Sequence, residues 1–423
     1  MNLDSIFTVK NDRLGLLNAH TAVEFFRKLL WAEARRVGIE TSKIHVSSAI
    51  HVADGGVDAA VDSAQIATAS GIIKPGKTGY QIKSGTRFQP WQKSEIRKLL
   101  FGTKTPDQKN LGESMRVCLG SGGTYTLVCT GIDLVDSQRR NARAHIEKYL
   151  KQCYYSNINV NVWSQSDLIG FLESFPSLAL QLNGYGRAHF QPHESWLQND
   201  DMRFEFVQGQ SQKELITKIR NELRRNDDTV HVRVLGEPGI GKTKLVLEAT
   251  KTDDLSPLVI YCSASQFRDS ALMNELLRPD TDFSVVLVVD ECDADSRFYI
   301  WNKLRHRGPR IKLISIYNDY DPIAGGGISE FEILRLDDDQ IHTIFQKYKT
   351  TKDQDRRYVE LCGGSPRMAH HFGRTLESYP GTPSRFLTDD HLYQSFYIDF
   401  RKENLDSQEI QQRKLVQFGA IVL

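Results

Sequence analysis

Residues 236–243, with the sequence GEPGIGKT, follow the GxxxxGK[ST] pattern of a phosphate-binding loop. A strand-like run, HVRVL, precedes the loop, and a helix-like run, KTKLVLEA, begins within it. In this context glycines let backbone N–H groups face phosphate oxygens, and the helix N-terminus adds positive potential. We expect Lys242 to reach the β and γ phosphates and Thr243 to bind Mg²⁺. The residues predicted to surround the phosphates are Gly236, Pro238, Gly239, Ile240, Gly241, Lys242, Thr243 and Lys244.

Two acidic residues, Asp290 and Glu291, directly follow the apolar run VVLVV. Carboxylates at the carboxyl end of a buried strand supply the second half of a phosphate-binding site of this kind. We expect Asp290 to hold Mg²⁺, directly or through water, and Glu291 to orient the attacking water. The sequence therefore predicts that the chain binds ATP with Mg²⁺ and hydrolyses it.

A second candidate site lies in residues 79–85, with the sequence GYQIKSG. In a strand, Gln81 and Lys83 project to one face and Ile82 to the other. An antiparallel partner strand carrying Asp58 would bring its carboxylate to the face of Gln81 and Lys83. The Asp58 carboxylate, the Gln81 amide oxygen and the Ile82 carbonyl could then hold Mg²⁺, while Lys83 positions the attacking water beside a phosphate. An edge strand with polar residues on its wet face explains the same residues equally well.

Composition sets bounds on the function without naming it. A chain of 423 residues suggests two to four domains, and 40% hydrophobic with 25% charged residues is ordinary for globular protein. The net charge of +1 is uninformative, but residues 74–116 carry ten basic and three acidic side chains, which could attract phosphate. The six cysteines include no CxxC pair, which argues against zinc and for reduced thiols in the cytoplasm. No signal pattern or apolar run of about 20 residues suggests a membrane.

The order of predicted helices and strands gives an α/β fold class with two successive α/β units. Alternating strands and helices in the second unit predict a parallel sheet wrapped by helices. The pattern then becomes helical only, and the chain stops with an apolar end, as if cut from something longer. The predicted divisions are a first unit at 1–185, a linker at 186–205, a phosphate-binding domain at 206–336, a helical lid at 337–402 and the start of a further domain at 403–423.

The phosphate-binding loop, the Asp290 strand end, the strand IKLISIYND and the segment CGGSPRMAH together resemble the STAND NTPases, a signalling branch related to AAA+ ATPases. The resemblance covers about residues 206–400. It implies a P-loop ATPase core with a helical lid, followed by a winged-helix domain that would be truncated here. It also implies that Pro366 lies near the adenine, that Val207 belongs to an adenine-contacting segment, and that Asn318 occupies a sensor position.

The order of helix, Asp58, Gln81 and Lys83 resembles the Mrr-like subset of the PD-(D/E)xK nucleases, which accept Gln at this position. The resemblance spans about residues 14–180. It implies a restriction-endonuclease-like fold for residues 1–185, with Asp58, Gln81 and Lys83 as catalytic residues. A helix acid often completes the site in that family, and the resemblance implies Glu33 in this role, with Glu24 as the other choice.

A nuclease domain fused to a STAND core resembles the antiviral STAND proteins (Avs) of bacteria and archaea. The resemblance implies antiphage defence: a phage protein of the portal or terminase class triggers ATP-dependent assembly of a homo-oligomer, a tetramer, which cuts double-stranded DNA. The C-terminal sensor of that family is not expected within this chain. Two alternatives remain open, an NTP-dependent restriction endonuclease activated by DNA itself and a non-catalytic STAND signalling switch.

Overall fold

The first β-sheet lies in the N-terminal part of the chain. The computed structural model describes residues 6–46, 55–63, 71–184, 189–226, 229–318, 327–348 and 358–378. Within them this sheet contains, in spatial and chain order, β1 (Ile44–Val46), β2 (Ala59–Ser63), β3 (Gly76–Lys83), β4 (Thr124–Cys129) and β5 (Asn159–Trp163). Strands pair antiparallel from β1 to β3 and parallel from β3 to β5. The strand that carries Gln81 and Lys83 is therefore flanked on both sides.

Helices cover both faces of this sheet. On β4, Val128 joins an apolar cluster on one face, whereas Tyr125 and Leu127 join a second cluster on the other. All of β4 is buried as a result. The first cluster includes α2 and the second includes α3 to α5. The helices are α1 (Asn11–Gly15), α2 (Ala19–Val37), α3 (Lys93–Phe101), α4 (Glu113–Gly120), α5 (Asp136–Gln152), α6 (Gln165–Leu172) and α7 (Pro176–Asn183).

Helix α2 has clear sequence signals at both ends. The Asn18 side chain accepts a hydrogen bond from the Thr21 N–H at 2.9 Å, which satisfies one of the free donors of the first turn. Gly38 ends the helix with φ of 77°, a left-handed conformation that favours glycine. Between them, Phe26, Leu29 and other apolar residues at helical spacing are buried against the sheet.

The second sheet has six strands in the order β11-β7-β10-β9-β8-β6. All neighbours pair in parallel except β6, which is antiparallel to β8. The strand β10 thus lies between β7, which leads into the phosphate-binding loop, and β9, which ends at Asp290. The strands are β6 (Gln191–Pro192), β7 (His231–Leu235), β8 (Val259–Ser263), β9 (Val285–Asp290), β10 (Ile311–Ile316) and β11 (Ile328–Glu332).

The helices around the second sheet include the helix that follows the phosphate-binding loop and the helices of the lid. They are α8 (His193–Leu197), α9 (Gln210–Leu223), α10 (Lys242–Thr250), α11 (Ala264–Phe267), α12 (Ala271–Leu276), α13 (Ala294–Leu304), α14 (Asp338–Phe345) and α15 (Pro366–Ser378). Residues 358–362 are also helical. In the lid, α14 and α15 share a small apolar cluster centred on Ile341, Phe345 and Phe372.

The two sheets share one continuous apolar core. The Phe7 ring meets the Phe283 ring edge-on, with centroids 5.2 Å apart. Polar contacts also cross the boundary, because the Ser284 N–H donates to the Ser174 carbonyl at 2.9 Å and the Ser177 hydroxyl donates to the Val259 carbonyl at 2.7 Å. The N-terminal domain is therefore packed directly against the phosphate-binding domain.

The predicted α/β class is confirmed by two helix-covered sheets, and the predicted parallel sheet of the second unit is present. Three elements were not anticipated: β11 adds a fifth parallel strand, and the predicted linker contains β6 and α8. Residues 379–402 of the predicted lid and the whole of 403–423 lie outside the described residues. Among the helices that the structure describes, none combines the length and the apolar character needed to cross a membrane.

Candidate nucleotide and phosphodiester sites

The phosphate-binding loop turns sharply between β7 and α10. Gly239 and Gly241 have φ of 80° and 92°, in the left-handed region that side chains rarely adopt. At Gly236, a Cβ atom would lie 2.7 Å from the Ile333 carbonyl oxygen and still closer to the Ile240 side chain. The glycines are thus required by backbone shape, and Ile240 packs beneath the loop.

The Lys242 ammonium is held inside the loop. It donates to the carbonyls of Gly236 at 2.9 Å and Glu237 at 2.7 Å, and to the Asn318 side-chain oxygen at 2.8 Å. Burial lowers the pKa of Lys242 to about 8, against the opposing effect of the negative charges of Asp290 and Glu237. The expected sensor residue Asn318 therefore contacts the phosphate-binding lysine directly.

Thr243 and Asp290 meet at the edge of the sheet, as parallel strands with a shared carboxyl edge require. The Thr243 hydroxyl donates to Asp290 Oδ2 at 2.8 Å, and the Glu291 N–H donates to Asp290 Oδ1 at 2.9 Å. The described residues contain no group of three or more His, Cys, Asp and Glu side chains that could hold a metal. A hydroxyl and one carboxylate nevertheless fit Mg²⁺, which commonly binds one or two carboxylates and completes its shell with water and substrate phosphates.

Glu291 lies immediately beyond this pair with an exposed side chain. Its φ of 52° places a residue other than glycine in the left-handed region, which costs of order 1 kcal/mol or more and is common at functional sites. The next residue, Cys292, returns the chain to the sheet through its N–H and the Ile316 carbonyl at 3.0 Å. The turn exposes the Glu291 side chain directly after Asp290.

The lid contacts the phosphate-binding loop. The Gly239 carbonyl accepts from the Ser365 hydroxyl at 3.1 Å and from the Arg367 N–H at 3.3 Å. The Pro366 ring lies against Gly241, since a Cβ there would be 3.6 Å from Pro366 Cγ. The Gly-Ser-Pro turn expected near the nucleotide is therefore placed directly over the loop.

Three other residues predicted to bind the nucleotide, Val207, Pro238 and Lys244, make no contact of the kind expected within the described part of the chain. Val207 packs at the edge of the apolar lid cluster, and Pro238 is exposed. Lys244 was expected beside the phosphates, but its ammonium donates to the Met202 carbonyl at 2.8 Å and lies 3.4 Å from Glu248. Desolvation lowers the pKa of Lys244, with Glu248 opposing it. Lys244 thus connects α10 to the segment before α9, a position that the sequence pattern did not indicate.

In the first sheet, the antiparallel pairing required by the second candidate site is present. Ala59 lies opposite Tyr80, so Asp58 lies opposite Gln81. The Asp58 N–H donates to the Tyr80 carbonyl at 2.8 Å, and Asp58 Oδ2 accepts from the Ile82 N–H at 2.5 Å. A residue in a strand directs its N–H and C=O to the same neighbour, so the Ile82 carbonyl also faces the side of Asp58.

Gln81 and Lys83 share the face of Asp58, but Gln81 is already engaged. Its amide oxygen accepts a hydrogen bond from the Tyr125 hydroxyl on β4, and the side chain is buried. Lys83 is partly exposed and lies opposite Cys129. Burial raises the pKa of Cys129 to about 12, with the positive charge of Lys83 opposing it. Asp58, Gln81 and Lys83 therefore share one face of the sheet. The Gln81 amide oxygen, an expected Mg²⁺ ligand, already accepts a hydrogen bond from Tyr125.

The expected helix acid does not join this site. Glu33 is fully buried and accepts two hydrogen bonds from the Arg36 guanidinium, at 2.7 and 2.8 Å. It lies near Tyr80, whose ring packs against Phe26 of α2 with centroids 5.1 Å apart, on the face of the sheet opposite Gln81. Glu24 instead pairs with Arg27 at 3.0 Å. The spacing of Glu33 along the helix is the same for a residue in a buried ion pair and for a catalytic acid, so the sequence could not distinguish the two roles.

Two tyrosines contact the predicted site residues without having been predicted themselves. Tyr125 binds Gln81, and the Tyr261 hydroxyl donates to Asp290 Oδ2 at 3.0 Å. Each comes from a strand adjacent to that of its partner, Tyr125 from β4 and Tyr261 from β8. No local pattern marks them, because the contact depends on which strands become neighbours.

Comparison with known proteins finds partial structural likeness. No protein-family model and no curated protein matches the chain. A STAND protein with a tetratricopeptide repeat sensor from Pyrococcus horikoshii matches at 15% identity and a TM-score of 0.32, over 46% of this chain and 33% of that chain. AMPPCP-bound DnaA from Aquifex aeolicus matches at 18% identity and 0.30, over 47% and 68%. A RuvB mutant from Thermotoga maritima matches at 14% and 0.32, over 46% and 70%.

The matched part of this chain thus corresponds to a third of the length of the Pyrococcus STAND protein.

Proposed function

We propose that the chain binds ATP with Mg²⁺ and hydrolyses it at the edge of the second sheet. The observation that carries the proposal is the contact of Thr243 with Asp290, which joins the end of β9 to the helix that follows the phosphate-binding loop. Lys242 and Asn318 are joined beside it. Four residues from three distant segments of the chain are thus brought to one edge, which supports P-loop chemistry there.

In this proposal Lys242 releases the loop carbonyls and donates to β and γ phosphate oxygens. Thr243 and Asp290 would hold Mg²⁺, which neutralises charge on the phosphates when bound. Glu291 orients a water molecule that attacks the γ-phosphorus, and the Glu291 carboxylate accepts a proton from that water. The bond from that phosphorus to the oxygen bridging the β and γ phosphates breaks, leaving ADP and phosphate. Pro366 and the lid close over the loop.

The test compares Lys242 with Lys244, two lysines that are two positions apart in sequence and make different contacts. Lys242→Ala should lower ATP hydrolysis by roughly 10²- to 10³-fold, the usual cost of removing a preorganised donor to developing charge. Lys244→Ala is the matched control, because the Lys244 ammonium is bound to Met202. Release of phosphate and binding of a fluorescent ATP analogue are measured for both. Equal losses in the two variants would contradict the site.

As a second function, we propose Mg²⁺-dependent cleavage of double-stranded DNA by the N-terminal domain. The observation that favours it is the placement of Asp58 opposite Gln81, with the carboxylate on the Ile82 N–H. Asp58, Gln81 and the Ile82 carbonyl would hold Mg²⁺, which offsets charge on the phosphate. Lys83 orients a water molecule, which gives up a proton to solvent as its oxygen forms the new bond to phosphorus. The bond to the 3′ oxygen breaks, and that oxygen takes up a proton from solvent.

Cleavage is tested with plasmid DNA, Mg²⁺ and ATP, with and without phage lysate. Lys83→Ala should abolish nicking and leave ATP binding intact, because the residue lies in the first sheet. Lys77→Ala is the control, a lysine of the same strand that pairs with Asp62 at 3.9 Å. Nicking by activated Lys83→Ala protein would remove Lys83 from the mechanism.

The resemblance to antiviral STAND proteins supports a wider proposal, in which a phage protein of the portal or terminase class triggers assembly of a homo-oligomer, a tetramer, that activates cleavage. Holding effectors together raises their effective concentration on DNA. Light scattering of the full-length protein with purified portal or terminase tests the assembly. Stimulation of ATP hydrolysis by DNA alone would favour the restriction-enzyme alternative, and assembly without any cleavage would favour a signalling switch.

A further inference from the structure

Tyr261 contributes a third donor to the carboxylate of Asp290. Its hydroxyl donates to Oδ2, the oxygen that also accepts from Thr243, while Oδ1 accepts from the Glu291 N–H. Three donors therefore fix the orientation of the Asp290 carboxylate. Thr243 belongs to the phosphate-binding loop and Glu291 follows β9, whereas Tyr261 comes from the neighbouring strand β8.

The ring of Tyr261 is itself held by Trp196. The two rings are stacked, with centroids 4.5 Å apart and planes inclined by 8°. Trp196 is fully buried, and its indole N–H has no hydrogen-bond partner within the part of the chain that the structure describes. Stacking and apolar packing, not hydrogen bonding, thus define the position of Trp196 against Tyr261.

Trp196 belongs to α8, in the segment that connects the two sheets. Just before α8, β6 pairs with β8 and places Gln191 opposite Tyr261. Glu194 of α8 accepts hydrogen bonds from Lys28 of α2 and from Gln181 of α7, both in the N-terminal domain.

On its other side α8 meets the nucleotide-binding helix. A ring nitrogen of His193 lies 3.3 Å from the Leu247 carbonyl on α10. Helix α8 is therefore in contact with the N-terminal domain, with α10 and, through Trp196 and Tyr261, with Asp290.

We propose that Tyr261 is a positioning residue for the Mg²⁺ of the nucleotide site, and that Trp196 makes this positioning depend on the packing of α8. The inference rests on the proposed nucleotide function and adds a residue to it. Tyr261 acts through Asp290, as groups that hydrogen-bond to metal ligands do in general. Loss of such a partner typically lowers metal affinity by about 10- to 100-fold.

The first test is Tyr261→Phe, which keeps the stacked ring and removes only the hydroxyl. Mg²⁺ is titrated into the full chain with a fluorescent ATP analogue, and the Mg²⁺ concentration at half-maximal binding is measured. We expect it to rise by about tenfold, with unchanged analogue binding in the absence of Mg²⁺ and unchanged hydrolysis at saturating Mg²⁺. A purely structural role for Tyr261 would also lower analogue binding in the absence of Mg²⁺ and hydrolysis at saturating Mg²⁺.

The matched control is Tyr80→Phe. Tyr80 is fully buried and its hydroxyl donates to the Ile72 carbonyl at 2.8 Å, so the variant loses a similar bond in the first sheet. Its Mg²⁺ titration should superimpose on that of the wild type. A Tyr261→Phe titration that also superimposes on the wild type overturns the positioning role.

The second test removes the stacking partner. Trp196→Leu should shift the Mg²⁺ titration in the same direction as Tyr261→Phe, whereas Trp163→Leu should not. Trp163 is a buried tryptophan of the N-terminal domain that contacts Tyr80, with centroids 5.7 Å apart. Equal titrations for Trp196→Leu and Trp163→Leu overturn the dependence on α8. Failure of the wild type to bind the analogue at any Mg²⁺ concentration would instead refute the nucleotide function itself.

Discussion

The two candidate sites are assembled to different degrees. In the nucleotide site, Lys242, Thr243, Asp290 and Asn318 are already joined by hydrogen bonds of 2.8 Å. In the N-terminal site, Asp58, Gln81 and Lys83 share a face, yet the Gln81 oxygen is occupied by a tyrosine hydroxyl and the expected acid lies elsewhere. The residues of the first site are thus preorganised by contacts with one another, whereas in the second site an expected ligand atom accepts from Tyr125, which lies outside the predicted set.

This difference has a physical origin in the two sheets. Parallel strands end at one edge, so residues after β7, β9 and β10 meet there without further adjustment. In the first sheet the candidate residues lie within paired strands, where β4 supplies competing donors such as Tyr125. If Mg²⁺ binds the Gln81 oxygen as proposed, binding the metal alters the contact with Tyr125 and costs free energy. Such a cost would keep a nuclease inactive until assembly or substrate supplies the compensating contacts.

The largest expected effect concerns Glu33, whose placement separates the sites most clearly. Glu33→Gln weakens the buried contact with Arg36 and should lower the free energy of unfolding by about 2 kcal/mol, the cost of weakening a hydrogen bond to a charged group. Cleavage activity per folded molecule should not change. Urea unfolding and plasmid nicking measure the two quantities.

Glu24→Gln is the control for this variant, because its pair with Arg27 is partly exposed and worth about 0.5 kcal/mol or less. If Glu33→Gln were as stable as the wild type but inactive in nicking, Glu33 would belong to the N-terminal site. The contrast between the two sites would then be smaller than described above.

Local sequence pattern predicted which residues meet around the phosphate-binding loop. It did not predict the partners of Gln81 and Glu33 in the N-terminal domain. Backbone conformation requires glycine at 239 and 241 and places Asp290 at the end of its strand. Short sequence motifs can predict such local features. The roles of Tyr125 and Tyr261 depend on which strands become neighbours, and no spacing within either strand specifies that. Glu33 was misplaced because a buried ion pair and a catalytic acid occupy the same type of helical position.

The strand β6 and helix α8 were missed for a related reason. The segment around Trp196 is polar and rich in turn-forming residues, so the pattern indicates a linker. The buried Trp196 stacked on Tyr261, together with the pairing of β6 with β8, holds it against the second sheet. Burial of a single aromatic side chain is a tertiary property that a window of sequence does not reveal.

A smaller effect tests how strongly the nucleotide site is preorganised. Because burial lowers the pKa of Lys242 to about 8, the nucleotide-free protein loses the ammonium proton above that pH. Phosphate oxygens bind the ammonium form, so binding then requires uptake of one proton. The dissociation constant of the ATP analogue should rise by up to about tenfold per pH unit above pH 8.

Fluorescence titrations between pH 7 and pH 9.5 would measure this dependence. Lys242→Arg provides the control, since a guanidinium stays charged throughout the range and its curve should be flat. A flat curve for the wild type as well would mean that the loop carbonyls and Asn318 do not desolvate the lysine as described.

The smallest expected effect addresses the occupied ligand of the N-terminal site. Tyr125→Phe removes the hydroxyl that binds the Gln81 oxygen and frees that oxygen for Mg²⁺. Since such a hydrogen bond contributes about 1 kcal/mol net, the Mg²⁺ concentration for half-maximal plasmid nicking should fall by about fivefold. Tyr149→Phe is the control, a tyrosine of the same apolar cluster that packs on Phe101. An unchanged Mg²⁺ requirement would exclude Gln81 as a ligand. An increased Mg²⁺ requirement would mean that Tyr125 orients Gln81 toward the metal, and the two sites would then be equally preorganised.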